Sequence, residues 1–144
     1  MPGHTRNASL LLTLLDTTTI TTALTASTTT PVTDLAAMES VSILANFTYG
    51  SSGTKVIVWV QTSLDGGSTW CDVACMTFTT ASGKKICSLK AATAVAASYA
   101  QTDGTLSDDT IKDGILGDQL RLKITTTGTY ATNTTLKVTA VAKG

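Results

Sequence analysis

Prolines occur only at positions 2 and 31, and histidine and glutamate once each, as His4 and Glu39. With prolines only there, the rest of the chain is free to pair in sheets without missing donors. One histidine near the N-terminus leaves no second imidazole for a zinc site, and any Ser-His-Asp or Cys-His arrangement would have to use His4. One glutamate means that a pair of carboxylates for glycoside hydrolysis would have to come mainly from aspartates. Charge is sparse, at 14% of residues against the usual quarter, and balanced at ten basic and ten acidic side chains. That balance offers no basic cluster for nucleic acid or anionic lipid. No apolar run approaches the eighteen or so residues that span a bilayer. No Gly-rich phosphate loop precedes a helical pattern, and no cofactor is expected.

What the chain has instead is threonine. Thr, Ala and Ser fill 31, 17 and 12 of the 144 positions, and β-branched Thr favours extended backbone. The length suits one compact domain with at most an arm. Residues 1–34 differ in texture from the rest, with nine Thr between Thr17 and Thr30 and a Pro at the end. They read as an extended arm or edge strand ahead of a domain over 35–144. Arg6 followed by the apolar stretch Ala8 to Leu15 invites comparison with a signal peptide. The stretch is short, Asp16 closes it, and no small-x-small cleavage pattern follows. A strand or arm that docks on a partner is the expectation, with Leu10, Leu11, Leu12, Leu14, Leu15, Ile20 and Leu24 as candidate assembly contacts.

From Met38 onward the apolar period is two. Val41, Ile43, Ala45 and Phe47 mark one strand. Val56, Val58 and Val60, with Ile57 and Trp59 on the opposite face, mark a strand covered on both sides. Return strands follow over Trp70 to Thr80 and Ile86 to Leu89, and two more close the chain around Leu120–Thr125 and Leu136–Ala142. Ala91–Ala100 fits a helical turn or an irregular strand equally well. Seven or eight short strands with regular turns and no amphipathic helix predict an all-β fold: an antiparallel β-sandwich or jelly-roll-like domain with an extended N-terminal arm.

Cys71, Cys75 and Cys87 are an odd number. On one regular strand Cys71 and Cys75 would face the same way about 13 Å apart, too far to bridge. Buried reduced thiols are expected. The sequons at Asn7, Asn46 and Asn133 are what a Thr-rich chain produces by chance.

Ser63-Leu64-Asp65-Gly66-Gly67-Ser68-Thr69-Trp70 resembles the Asp-box, S-x-D-x-G-x-T-W, at all its fixed positions: Ser63, Asp65, Gly67, Thr69 and Trp70. The motif is a hairpin device of sialidases, other propellers and unrelated β proteins. Asp65 can accept N–H groups within the turn, Gly67 can take φ > 0, and Trp70 can cover the hairpin root. One copy in so short a chain makes it a turn rather than a catalytic signature. Five of the nine aspartates fall in Asp103–Asp118. Their order is not that of an EF-hand, so Asx-turns are expected there and no metal ligand set.

The succession of a Thr-rich arm, T-S-L-D-G-G-S-T-W-C-D-V, D-G-T-L-S-D-D-T-I-K-D-G-I-L-G-D-Q-L-R-L-K-I-T-T-T-G-T-Y and a last strand is similar to small virion structural proteins of tailed bacteriophages. Capsid decoration (cement) subunits and small head or tail accessory proteins are among these. The resemblance spans roughly residues 15–143. It implies a non-enzymatic β-sandwich present in many copies on a lattice of major capsid protein. The expected partners are that protein and other copies of the chain, a trimer being favoured. The expected location is the virion, head over tail, after synthesis in the host cytoplasm, with no nucleic-acid or membrane partner. The alternatives are a tail or neck accessory protein and a carbohydrate-binding or adhesion module. The last would expose Trp59, Trp70 or Tyr99 as a sugar platform.

Overall fold

A computed structural model describes residues 9–144. Two four-stranded antiparallel sheets face each other, and no helix is present among the described residues. The strands are β1 (Ser9–Thr19), β2 (Ser27–Thr28), β3 (Ser40–Thr48), β4 (Ser51–Ser52), β5 (Lys55–Ser63), β6 (Cys71–Phe78), β7 (Gly83–Lys90), β8 (Gln119–Thr127), β9 (Tyr130–Ala131) and β10 (Thr135–Lys143). The first sheet has the order β1-β10-β3-β7 and the second β2-β8-β5-β6, while β4 and β9 form a small ribbon. An all-β sandwich is therefore the fold.

The period-two patterns set which residues meet. Val41, Ile43, Ala45 and Phe47 of β3 face Val56, Val58 and Val60 of β5 across one buried cluster. Phe47 stacks on Phe78 with ring centroids 5.1 Å apart, and Tyr130 meets Phe47 edge-on at 5.7 Å. Tyr130 remains satisfied in this core because its hydroxyl donates to the Thr79 carbonyl at 2.6 Å.

Residues 9–34 belong to both sheets. β1 pairs with β10 from Ser9↔Lys143 to Thr19↔Thr135, and β2 pairs with β8. Leu12, Leu14 and Ile20 lie in the common core, with Leu15 and Leu24 packed against it. The described part of the Thr-rich segment thus runs as an edge strand and a sheet-crossing link. Leu10 and Leu11 are the exposed members of the leucine run, at 52% and 71%. Ala91–Ala100 forms neither a helical turn nor a strand; it is the start of a long irregular segment described below.

A bulge in β6 changes the expected geometry of the cysteines. Val60 pairs with Ala74 and Gln61 with Asp72, so Val73 is the extra residue. The alternation slips there by one. Cys71 consequently faces the intersheet core while Cys75 lies on the outer face beside Trp59. All three thiols are buried and free. Burial pushes Cys75 and Cys87 up to about 11 and raises Cys71 as well.

Candidate functional site

The Asp-box hairpin between β5 and β6 is held by its own side chains. Asp65 Oδ1 accepts the Thr69 N–H at 2.8 Å and Oδ2 the Thr69 hydroxyl at 2.7 Å. Ser63 Oγ donates to Asp65 Oδ1 and accepts the Gly67 N–H at 2.8 Å. Gly67 has φ +95°, a region closed to most side chains. The Thr69 hydrogen bonds hold the Asp65 carboxyl below its ordinary value. Trp70 is buried, with the Arg121 guanidinium 4.4 Å from its ring centroid and its carbonyl accepting Gln101 Nε2. The five motif residues come together as one closed turn, tied by the hydrogen bonds among Ser63, Asp65, Gly67 and Thr69.

Residues 91–118 form a roof over the outer face of the second sheet, and a single carboxylate anchors it. Asp72 is 1% exposed and points outward from β6. Its oxygens accept the successive N–H groups of Gly104, Thr105 and Leu106 at 2.8–3.2 Å. The Thr102 hydroxyl and Gln61 Nε2 donate to it as well. Successive amides converging on one anion form a nest, opened here by Gly104 at φ +91°. The roof also closes the free edge of β6. Asp72 N–H donates to Thr102 O, Cys75 N–H to Thr110 O, and Lys112 N–H to Val73 O. Under it Trp59 packs with Cys75 and Leu106, and its indole donates to the Leu106 carbonyl at 3.0 Å.

The aspartates of 103–118 diverge rather than converge. Asp103 takes Lys123 at 2.7 Å and Gln61 at 2.6 Å, with Arg121 at 3.7 Å. Asp108 pairs with Lys55. Asp109 accepts Thr77 N–H and Lys85 Nζ, and Asp113 accepts the Lys90 and Gly114 N–H groups. For Asp103 and Asp109 partial burial alone would raise the carboxyl, but lysine and other donors outweigh it and the net direction is down. These acids fasten the roof to both sheets. Among the described residues no three acids, cysteines or histidines group as metal ligands.

Among the described residues, no such cover lies over the outer face of the first sheet. Leu11, Val141, Ser42 and Ser88 form one transverse row, and Thr13, Thr139, Leu44 and Ile86 the next. The register puts Lys143 and Lys90 in the row beyond one side, and Lys137 and Lys84 in the row beyond the other. Ile86 is 79% exposed, and a shallow groove of about 670 Å³ runs over Leu44, Ile86 and Val141.

Of the candidate assembly contacts, Leu12, Leu14 and Ile20 are thus core residues, Leu15 and Leu24 are half-buried, and Leu10 and Leu11 are accessible. Sequence reasoning missed Asp72 and the lysine rows. A lone acid inside the apolar strand C-D-V-A-C-M was the available signal for the first. The second depends on strand register, which the sequence does not state. Compared with models of known protein families and with curated proteins, the chain matches none.

Proposed function

We propose that this protein is a non-enzymatic structural component of a tailed-phage virion, a decoration subunit that binds the major capsid protein shell and its own copies. The observation that carries the reading is the unequal treatment of sheet edges. An open edge is a template for pairing, and proteins that stay single guard it with charge, brevity or cover. β6 is closed by the roof's backbone, β2 is two residues long, and β7 carries Lys84, Lys85 and Lys90. β1 is eleven residues long, has neither charge nor Pro from Ser9 to Leu15, and ends in exposed Leu10 and Leu11. Strand addition at such an edge supplies main-chain hydrogen bonds and register, and a lattice multiplies modest contacts. The buried indoles of Trp59 and Trp70 offer no sugar platform, and Lys112 covers the Tyr99 ring at 4.3 Å, which weighs against the adhesion alternative.

The test is light-scattering mass measurement of the isolated chain, with co-sedimentation on purified shells and on tail tubes. A closed oligomer that binds shells, and loses both properties in Leu11→Lys/Thr13→Lys, supports the proposal. A monomer at high concentration that binds no shell refutes it, and binding to tail tubes alone moves it to the tail.

A further inference from the structure

We propose, resting on the assembly reading above, that the outer face of the first sheet is the surface that docks, and that it takes an acidic protein surface with a small apolar centre. Four lysines, Lys84, Lys90, Lys137 and Lys143, stand on this face, all exposed. Among the described residues none of the four makes an ion pair, whereas Lys55, Lys85, Arg121 and Lys123 are all engaged by aspartates of the roof. The cations of the second sheet, and Lys85 on the inward phase of β7, are therefore consumed within the molecule, and the four on the outer face of the first sheet are not.

Their placement is regular. Lys143 and Lys137 are six residues apart on β10, as are Lys90 and Lys84 on β7, so each pair spans about 20 Å. The two strands are separated by β3 alone, which puts the pairs about 10 Å apart. Inside this frame lie Leu44, Ile86 and Val141 with Ser and Thr between them, and β10, β3 and β7 carry no acid in its rows. The nearest acids are Asp16, inside β1 in the irregular stretch between Leu15 and Thr18 alongside Lys137, and Glu39. Asp16 Oδ1 accepts the Thr17 N–H, and Glu39 precedes β3, next to Ser40 and on the alternate phase.

A charged rim around an apolar centre is the anatomy of a protein–protein contact, in which the rim steers and the centre is desolvated. A phosphate backbone is the poorer complement, because it would lay anions over Ile86 and Leu44. Carboxylates spaced to meet the lysines, around a few apolar side chains, match both parts.

Two proteins with equal net charge locate the contact. Lys84→Gln/Lys90→Gln/Lys137→Gln/Lys143→Gln removes four positive charges from the face. Ala92→Glu/Ala94→Glu/Ala96→Glu/Ala97→Glu adds four negative charges on the exposed roof segment. The probes are purified capsid shells, an immobilised peptide of alternating glutamate and leucine, and duplex DNA, each at low and at physiological salt. The native chain is expected to bind shells and peptide more tightly at low salt. The lysine variant should lose about tenfold or more in affinity, and the alanine variant little. Binding to the peptide that depends on the lysines, without binding to shells, keeps the docking face and refutes the capsid reading. Binding to shells that ignores the four lysines keeps the capsid reading and overturns the docking face. Tighter lysine-dependent binding to DNA than to peptide overturns the acidic-protein partner, as does failure to bind either peptide or shells.

Discussion

Truncating Asp72 to Ala should loosen the roof without dissolving the sandwich. In the native chain five groups donate to this carboxylate: the amides of Gly104, Thr105 and Leu106, the Thr102 hydroxyl and Gln61 Nε2. Alanine leaves all of them without that acceptor. Thr102 and Gln61 have alternatives at hand, since Gln61 Nε2 also reaches Asp103. Thr105 is exposed and Gly104 half-buried, while Leu106 is 9% exposed. One to two donors stay dry, at about 1–3 kcal/mol each, which gives a loss of about 1–6 kcal/mol. Asp72→Asn, which keeps one oxygen but turns an NH2 toward the amide nest, should lose less. Urea unfolding followed by tryptophan emission measures the loss, and hydrogen exchange localises it. Amides of Leu106 and Lys112 should exchange faster, and Trp59 emission should shift to the red as Leu106 lifts. Protection along β5 and β8 should fall only by the global loss. If Asp72→Ala costs under about 1 kcal/mol with Leu106 protection unchanged, the carboxylate is not the anchor argued here.

Other outcomes follow from the same contacts. Trp70→Ala should cost about 3–5 kcal/mol in urea unfolding, because the ring is 6% exposed and packed under Arg121. The carboxyls of Asp65, Asp103, Asp109 and Asp113 are all held below the ordinary 3.8. Their stabilisation is complete above that value and lost as pH falls through the lower folded values, so the melting temperature should be level above about pH 5 and drop below about pH 4. Asp113→Asn should reduce that drop. With Cys75 and Cys87 pushed up to about 11 by burial, a thiol reagent at neutral pH should label the native chain slowly and the unfolded chain at once. Deleting β1 should destabilise the fold severely in thermal unfolding, since Leu12 and Leu14 are core residues at 7% and 5% exposure; a truncated chain that melts like the full one would refute that assignment.

The sandwich was legible because period-two alternation records directly which side of a strand is buried, as at Val41–Phe47 and Leu136–Ala142. The Asp-box was legible because its hydrogen bonds are local, all between residues 63 and 69. Three features were not. The roof is fixed by pairs far apart in sequence, such as Asp72 with Leu106, and its own composition suggests only turns. The bulge at Val73 leaves no mark in C-D-V-A-C-M, where an unbroken strand reads equally well. The Thr-rich segment reads from texture as an extended arm or edge strand, with no sign of which strand it pairs with. Its place in the core depends on β10, whose complementary stripe of Leu136, Val138 and Ala140 is more than a hundred residues away.

That last pairing has a consequence in time. Ser9 is matched to Lys143 and Thr19 to Thr135, so the residues of β1 leave a ribosome more than a hundred residues ahead of the partners they pair with. Until β10 emerges, the Leu10–Leu15 stretch has no strand to lie against, and an uncharged β-prone segment held open invites pairing between nascent chains. The central pairs β5–β6 and β5–β8 can form earlier, because their residues lie between Lys55 and Thr127. The β5–β6, β5–β8 and β3–β7 pairs can thus form before β1 finds its place, which waits until β10 has been made. A silent codon change that slows translation between Thr127 and Thr135 would lengthen that exposure, and reduced soluble yield is the expected result.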